Sequence, residues 1–172
     1  MPVSSDDLLK RLADLGLETQ TFEHPPVFTV DEARDLRGVI PGGHTKNLFL
    51  RDRKGGLFLV VAEEDARIDL KTIHQIIGAQ GRVSFGSADL LVEVWGVQPG
   101  SVTPFGAIND SAGRVKVVLD AAMMAHERLN FHPLINSRTT NISLADLLRF
   151  LEATGHEPLV ARISAGPEPD LP

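Results

Sequence analysis

Two apolar runs, Asn47 to Asp52 and Leu57 to Ala62, stand on either side of Arg53-Lys54-Gly55-Gly56. Each run has strand length and is dominated by aliphatic and aromatic residues, and the two glycines supply the backbone freedom of a tight turn. The pair reads as a β-hairpin. A local hairpin in mid-chain favours a mixed sheet over a doubly wound parallel one. Just before it, Pro41-Gly42-Gly43 breaks the chain, and Lys46 stands at the mouth of the apolar run Leu48-Phe49-Leu50. Glycines allow φ > 0 and close backbone approach to a ligand. A cation where such a turn meets a buried strand is placed to face an anion or a polarised carbonyl.

The rest of the chain alternates helix and strand signals without a regular βα repeat. Ser5 to Leu15 reads as a helix, capped by Ser4 or Ser5, with Asp6 and Asp7 at its positive end and Gly16 as its stop. Thr19 to Phe22 alternates as a strand. Thr29-Val30-Asp31-Glu32 is a capping-box pattern for a helix to about Leu36. Asp69 caps a predicted helix over Leu70 to Ile77, and Ser87 caps another through Trp95. Val115 to Leu119 is a β-branched strand, and Ala121 to Arg128 is weakly helical. Phe131 to Ile135 and Thr139 to Ile142 look extended around an Asn136-Ser137-Arg138 turn. Ser143 caps an amphipathic helix from Leu144 to Leu151, and Leu159 to Ile163 is a last strand. The expected fold class is α+β: a mixed, largely antiparallel curved sheet flanked by helices. One domain is expected over residues 1–172, with a loose Pro-rich and acidic tail at 165–172.

The length of 172 residues allows one sizeable core, and the formal net charge is −6. A protein that coats nucleic acid non-specifically is normally basic, so that class is disfavoured; a small local basic patch is not. The chain has no cysteine, which excludes disulfides, thiolate zinc sites and a cysteine nucleophile. The acidic start carries no apolar signal core, and no apolar run approaches the roughly 18 residues of a membrane span. The expected setting is cytoplasmic.

Several catalytic patterns fail on inspection. There is no G-x-S-x-G elbow. His126-Glu127 suggests a zinc-protease helix, but position 130 is Asn. His126 and His132 are six apart, which is not a zinc-ligand spacing. Gly38 to Gly43 has the glycine spacing of a phosphate loop, yet His44 stands where its lysine belongs. Neither a metal nor a cofactor is expected.

Lys46, the loop Gly100-Ser101-Val102-Thr103-Pro104-Phe105-Gly106, His132 and Asn136 remain. Taken singly, each has an ordinary reading. A lysine is usually solvated, a glycine loop is usually a connection, a histidine before proline is more often structural, and Asn136 suits a turn. Together they resemble a known family. Thr45-Lys46-Asn47-Leu48-Phe49-Leu50, the Gly100 to Gly106 loop, and Phe131-His132-Pro133 with Asn136 and Thr140 are similar to the YbaK/prolyl-tRNA-synthetase-associated editing domain, from Leu8 to about Ile163. The stretch Leu12 to Ala33, with Glu23-His24-Pro25-Pro26-Val27-Phe28-Thr29-Val30, resembles the free-standing branch that deacylates alanyl-tRNA(Pro).

The resemblance implies a metal-free hydrolase that clears mischarged alanyl-tRNA(Pro) and protects translation fidelity. Lys46 is then the catalytic cation, fixing the terminal phosphate or the ester carbonyl. Asn47, Gly100, Ser101, Val102, Thr103, Pro104, Phe105, Gly106, His132 and Asn136 are the implied substrate-binding residues. Backbone N–H groups of Gly100 to Thr103 would receive the oxyanion, and His132 would orient the ribose or the amino acid. An aminoacyl ester is reactive enough that positioning and electrostatics suffice. The implied partners are the acceptor end of tRNA(Pro) and prolyl-tRNA synthetase, with Arg51, Arg53, Lys54, Arg67, Lys71 and Arg138 as candidate phosphate contacts; neither DNA nor a membrane is expected. Deacylation of cysteinyl-tRNA(Pro) or another mischarged tRNA is the alternative within enzymes, and a silent tRNA- or synthetase-binding module is the alternative outside them.

Overall fold

The computed structural model describes residues 2–26 and 40–164. Helix α1 (Ser5–Asp14) starts where Ser4 Oγ accepts the Asp7 N–H at 3.1 Å, and it buries Leu8 and Leu12 completely. Strand β1 (Thr19–Glu23) follows, then β2 (Gly43–Arg51), β3 (Leu57–Glu63), α2 (Ile73–Ile77), β4 (Ser84–Phe85) and α3 (Ala88–Trp95). Two 3-10 segments, Pro99–Ser101 and Pro104–Asn109, lead into β5 (Val115–Asp120). A third, Ala121–Ala125, precedes β6 (Arg128–Phe131), β7 (Arg138–Ser143), α4 (Leu144–Ala153) and β8 (Leu159–Ala161).

The strands form one sheet in the order β1-β7-β6-β2-β3-β5-β8, with β4 added onto β2. The β2–β3 hairpin is antiparallel, as are β1–β7, β6–β7 and β2–β4, while β2–β6, β3–β5 and β5–β8 are parallel. The mixed α+β architecture expected from the sequence is present. Side chains alternate between the faces of a strand, so β3, buried on both faces, reads as a continuous apolar run. One face carries the main core. There Phe49, Leu59, Val117, Leu129 and Ile142 pack with α1, α3 and α4. The other face carries a smaller cluster of Leu50, Phe58, Val60 and Val118 under Ile73 and Ile77 of α2.

Several boundaries differ from the sequence reading. Strand β2 begins at Gly43, four residues before the expected start, because Gly43 and His44 pair with Leu129 and Asn130 of β6. Of Gly42 and Gly43, Gly42 takes a positive φ, at 97°, and Gly43 does not. Helix α2 starts at Ile73 rather than Leu70, since Asp69 accepts the Lys71 N–H and shapes a turn first. The weak helix before Arg128 is the 3-10 segment Ala121–Ala125, and β6 stops at Phe131. The expected helix at Thr29 to Leu36 and the tail 165–172 lie outside the described residues.

Candidate functional site

The register that starts β2 also brings polar side chains together. His44 lies beside Asn130 of β6, and Asn130 lies opposite Asn141 of β7. Alternation then puts His44 and Lys46, Arg128, Asn130 and His132, and Thr139 and Asn141 on one face. Leu129, Phe131 and Ile142 point the other way, into the main core. The polar half of this face adjoins the apolar half under α2, with Lys46 at the boundary.

Amide and guanidinium groups tie this surface together. Asn141 Nδ2 donates to Asn130 Oδ1 at 3.1 Å and to the Pro41 carbonyl at 2.9 Å. Asn130 Nδ2 donates to the Pro41 and Gly43 carbonyls at 2.9 and 3.2 Å. Arg128 donates to Asn141 Oδ1. A Cβ at Gly42 would stand 2.9 Å from the Asn141 amide, so the glycine is required both by its φ and by this close approach. The Lys46 ammonium donates to the Ala66 carbonyl, in the turn after β3. That neutral acceptor holds it at the edge of the polar surface.

Two histidines occupy the far end of the face, with ring centroids 6.3 Å apart. His132 Nδ1 lies 2.8 Å from the Arg138 carbonyl. A carbonyl only accepts, so Nδ1 bears the proton and, in the neutral ring, Nε2 carries the lone pair. Burial pushes the His132 imidazole below its ordinary range; the Arg138 carbonyl opposes this and the His24 ring adds to it. The same logic makes His24 Nδ1 the donor to the Pro25 carbonyl at 2.8 Å, while its Nε2 accepts the Thr139 hydroxyl at 2.8 Å.

Of the residues singled out from sequence, Lys46 and His132 lie on this same face, Lys46 at its boundary with the apolar half and His132 beside His24. Asn47 points to the opposite side of β2. Its Nδ2 reaches Thr45 Oγ1 at 3.5 Å, and its buried Oδ1 has no hydrogen-bond partner among the described residues. The Gly100 to Gly106 loop divides in two. Gly100 is exposed and Val102 half-buried, whereas Thr103, Pro104, Phe105 and Gly106 are buried. Phe105 packs edge-on against Phe131 and Phe150, and Trp95 Nε1 donates to the Thr103 carbonyl at 2.6 Å. A Cβ at Gly106 would stand 2.1 Å from the Trp95 indole. The second half of the loop is therefore core, and the Ser101 N–H already donates to the Gln98 carbonyl at 2.9 Å. Asn136 is half-buried in the β6–β7 turn. Arg138, read from sequence as a phosphate contact, instead donates to Asp6 and Glu23 at 2.7 and 3.0 Å.

The sequence reading missed His24, Arg128, Asn130, Thr139 and Asn141. A signal for two of these lies in the alternation Arg128-Leu129-Asn130-Phe131-His132, a strand with one polar face. The joining of that face to β7 and β2 depends on register. Beside the start of β2, a cavity of about 240 Å³ is lined by Gly42, Gly43, His44, Glu63 to Asp65 and His126, with His126 Nε2 2.5 Å from Glu63 Oε1. Its carboxylates make it a poor seat for phosphate. Among the described residues no cluster of three or more His, Asp or Glu is arranged to hold a metal. No described helix is long and apolar enough to cross a membrane.

The chain is a member of the aminoacyl-tRNA editing domain family, which matches residues 24–150. The Bos taurus protein named prolyl-tRNA synthetase associated domain-containing protein 1 is 38% identical over 157 residues, covering 89% of this chain and 91% of its own. The Acetoanaerobium sticklandii protein named prolyl-tRNA editing protein ProX is 37% identical over 150 residues, covering 87% and 91%. A crystal structure described as a candidate trans-editing enzyme for prolyl tRNA synthetase superposes with a TM-score of 0.72 at 20% identity, covering 96% of this chain and all of the other. That last likeness concerns the fold.

Proposed function

We propose that this protein is a trans-editing hydrolase that deacylates mischarged tRNA(Pro), with alanyl-tRNA(Pro) as its main substrate, in the cytoplasm and alongside prolyl-tRNA synthetase. The observation that carries the reading is the placement of Lys46 and His132 on one polar face of the sheet in a chain of the editing family. The relative named as a prolyl-tRNA editing protein supports the choice of tRNA.

The reaction is hydrolysis of the ester between an amino acid and the ribose of the terminal adenosine. Water adds to the carbonyl carbon, the bond to the ribose oxygen breaks, and that oxygen takes up a proton. Lys46 supplies the fixed positive charge for the terminal phosphate or the carbonyl oxygen as negative charge develops there. His132, neutral at pH 7 with its lone pair on Nε2, accepts a hydrogen bond from a ribose hydroxyl and orients it. The proton of the attacking water passes through the ribose hydroxyl.

Selectivity follows from size. A synthetase that accepts proline discriminates against smaller alanine by only about 1–3 kcal/mol per missing methylene, so a second, smaller site is needed. The test is a deacylation time course on alanyl-, cysteinyl- and prolyl-tRNA(Pro). Alanyl-tRNA(Pro) is expected to be cleared and prolyl-tRNA(Pro) spared, and Lys46→Ala is expected to slow clearance by about a hundredfold or more without loss of fold. Near-normal turnover by a folded Lys46→Ala protein would remove Lys46 from the mechanism. Binding of tRNA without hydrolysis of any ester would make the chain a binding module.

A further inference from the structure

His132 stands at the start of a connection that is fixed at both ends. Just after it, the Leu134 N–H turns back to the His132 carbonyl at 2.9 Å, closing a tight turn on Pro133. Leu134 takes φ 71°, a left-handed conformation that branched side chains rarely adopt, and its side chain is buried in the main core. At the far end, the Arg138 guanidinium draws in three groups from two other elements. Nη1 donates to Asp6 Oδ1 at 2.7 Å and to Ser5 Oγ at 3.2 Å, both on α1; Nε donates to Glu23 Oε1 at 3.0 Å, on β1. The neighbouring Ser137 carbonyl accepts the His24 N–H at 3.0 Å. Between these anchors, the Arg138 carbonyl receives the His132 Nδ1–H at 2.8 Å.

Both carboxylates are well exposed, and isolated surface ion pairs contribute little to stability. This cluster differs in that its partners lie 132 and 115 residues away in the chain and converge on one backbone position. Its consequence is geometric. A histidine whose proton is held on Nδ1 by a fixed carbonyl keeps one tautomer and one ring orientation, as the outer partners of metal-bound histidines do. Without that carbonyl the ring is free to turn and to exchange tautomers.

We propose that Arg138 is a positioning residue: by tying its own backbone to helix α1 and strand β1, it holds its carbonyl where it locks His132 in the Nδ1–H tautomer, with the Nε2 lone pair on the polar face. The catalytic part of this inference rests on the deacylase reading given above; the tautomer lock stands apart from it. Helix α1 thereby becomes part of the site's support, although it contributes no group to the face itself.

The test uses the full chain and three variants: Arg138→Ala, Arg138→Lys, and Asp6→Asn combined with Glu23→Gln, which leaves Arg138 in place but removes both carboxylates. Thermal melts establish that each is folded. Nitrogen-15 NMR of the histidine rings, at a pH where His132 is neutral, reads the tautomer. Single-turnover and steady-state deacylation of alanyl-tRNA(Pro) read kcat and KM. In the native chain His132 is expected wholly as the Nδ1–H form. In Arg138→Ala and in the double variant it is expected to become a mixture, with kcat lowered by about tenfold or more and KM changed by less than about twofold. Arg138→Lys is expected to recover part of both. Folded variants that keep the Nδ1–H form and native kcat would overturn the proposal. A tautomer shift in a chain whose native form hydrolyses none of the tRNAs would uphold the lock and overturn the deacylase reading.

Discussion

Burial of the His132 imidazole disfavours its charged form, so its folded pKa lies below the ordinary value near 6.5. The sign of two consequences follows. The folded chain binds this proton less readily than the unfolded chain, so the group's contribution to stability is present above about pH 6.5 and is lost as pH falls through the lower folded pKa. If neutral His132 orients the ribose, deacylation falls in the same acid window. The acid limb of kcat/KM is therefore expected below pH 6.5, and His132→Gln is expected to remove that limb while lowering the plateau; a limb unchanged in this variant would assign it to another group. Lys46 carries a complementary lesson. Its identity as a candidate was legible from Thr45-Lys46-Asn47, but its direction was not. A one-residue change of register would exchange Lys46 with Asn47 on the polar face.

At the scale of elements, the β2–β3 hairpin was readable because its turn chemistry is local. Asp52 completes it. Its Oδ1 accepts the Lys54 and Gly56 N–H groups at 2.9 and 2.7 Å, and its Oδ2 accepts the Gln80 N–H at 2.8 Å. The Gln80 contact is the leading cause of a carboxyl pKa below the usual range, with the two turn contacts and Arg51 adding to it against the effect of burial. Asp52 thus fastens the hairpin to the segment that leads into β4. Asp52→Ala is expected to destabilise the fold by about 2–4 kcal/mol in chemical denaturation, since three partly buried N–H groups lose their acceptor. A loss under about 0.5 kcal/mol would show that water replaces the carboxylate. The Gly100 to Gly106 loop was legible as a motif and misleading as a surface. The rings of Phe131 and Phe150 that pack on Phe105 come from distant parts of the chain, and no local pattern announces them.

For the whole molecule, a formal charge of −6 means that the proposed tRNA substrate would be held by a local basic patch or weakly. Arg51, Arg53, Lys54, Arg67 and Lys71 are exposed, whereas Arg138 is tied to two carboxylates. Deacylation of tRNA is therefore expected to weaken with salt, its kcat/KM falling by roughly 0.7–0.9 log units per log unit of salt for each phosphate contacted. Arg51→Glu with Lys54→Glu is expected to lower kcat/KM for tRNA while sparing hydrolysis of a free alanine ester; equal loss on both substrates would place those residues in the fold rather than in the grip. The sequence by itself determined the hairpin, the helices capped by Ser4, Ser87 and Ser143, the mixed architecture and the motifs of the editing family, because caps, turns and alternation act over a few residues. Tertiary structure decided which of those motif residues share a face. The pairing of β2 with β6 joins positions more than 80 residues apart, and only closure of that long loop sets the register that brings β2 beside the local β6–β7 pair.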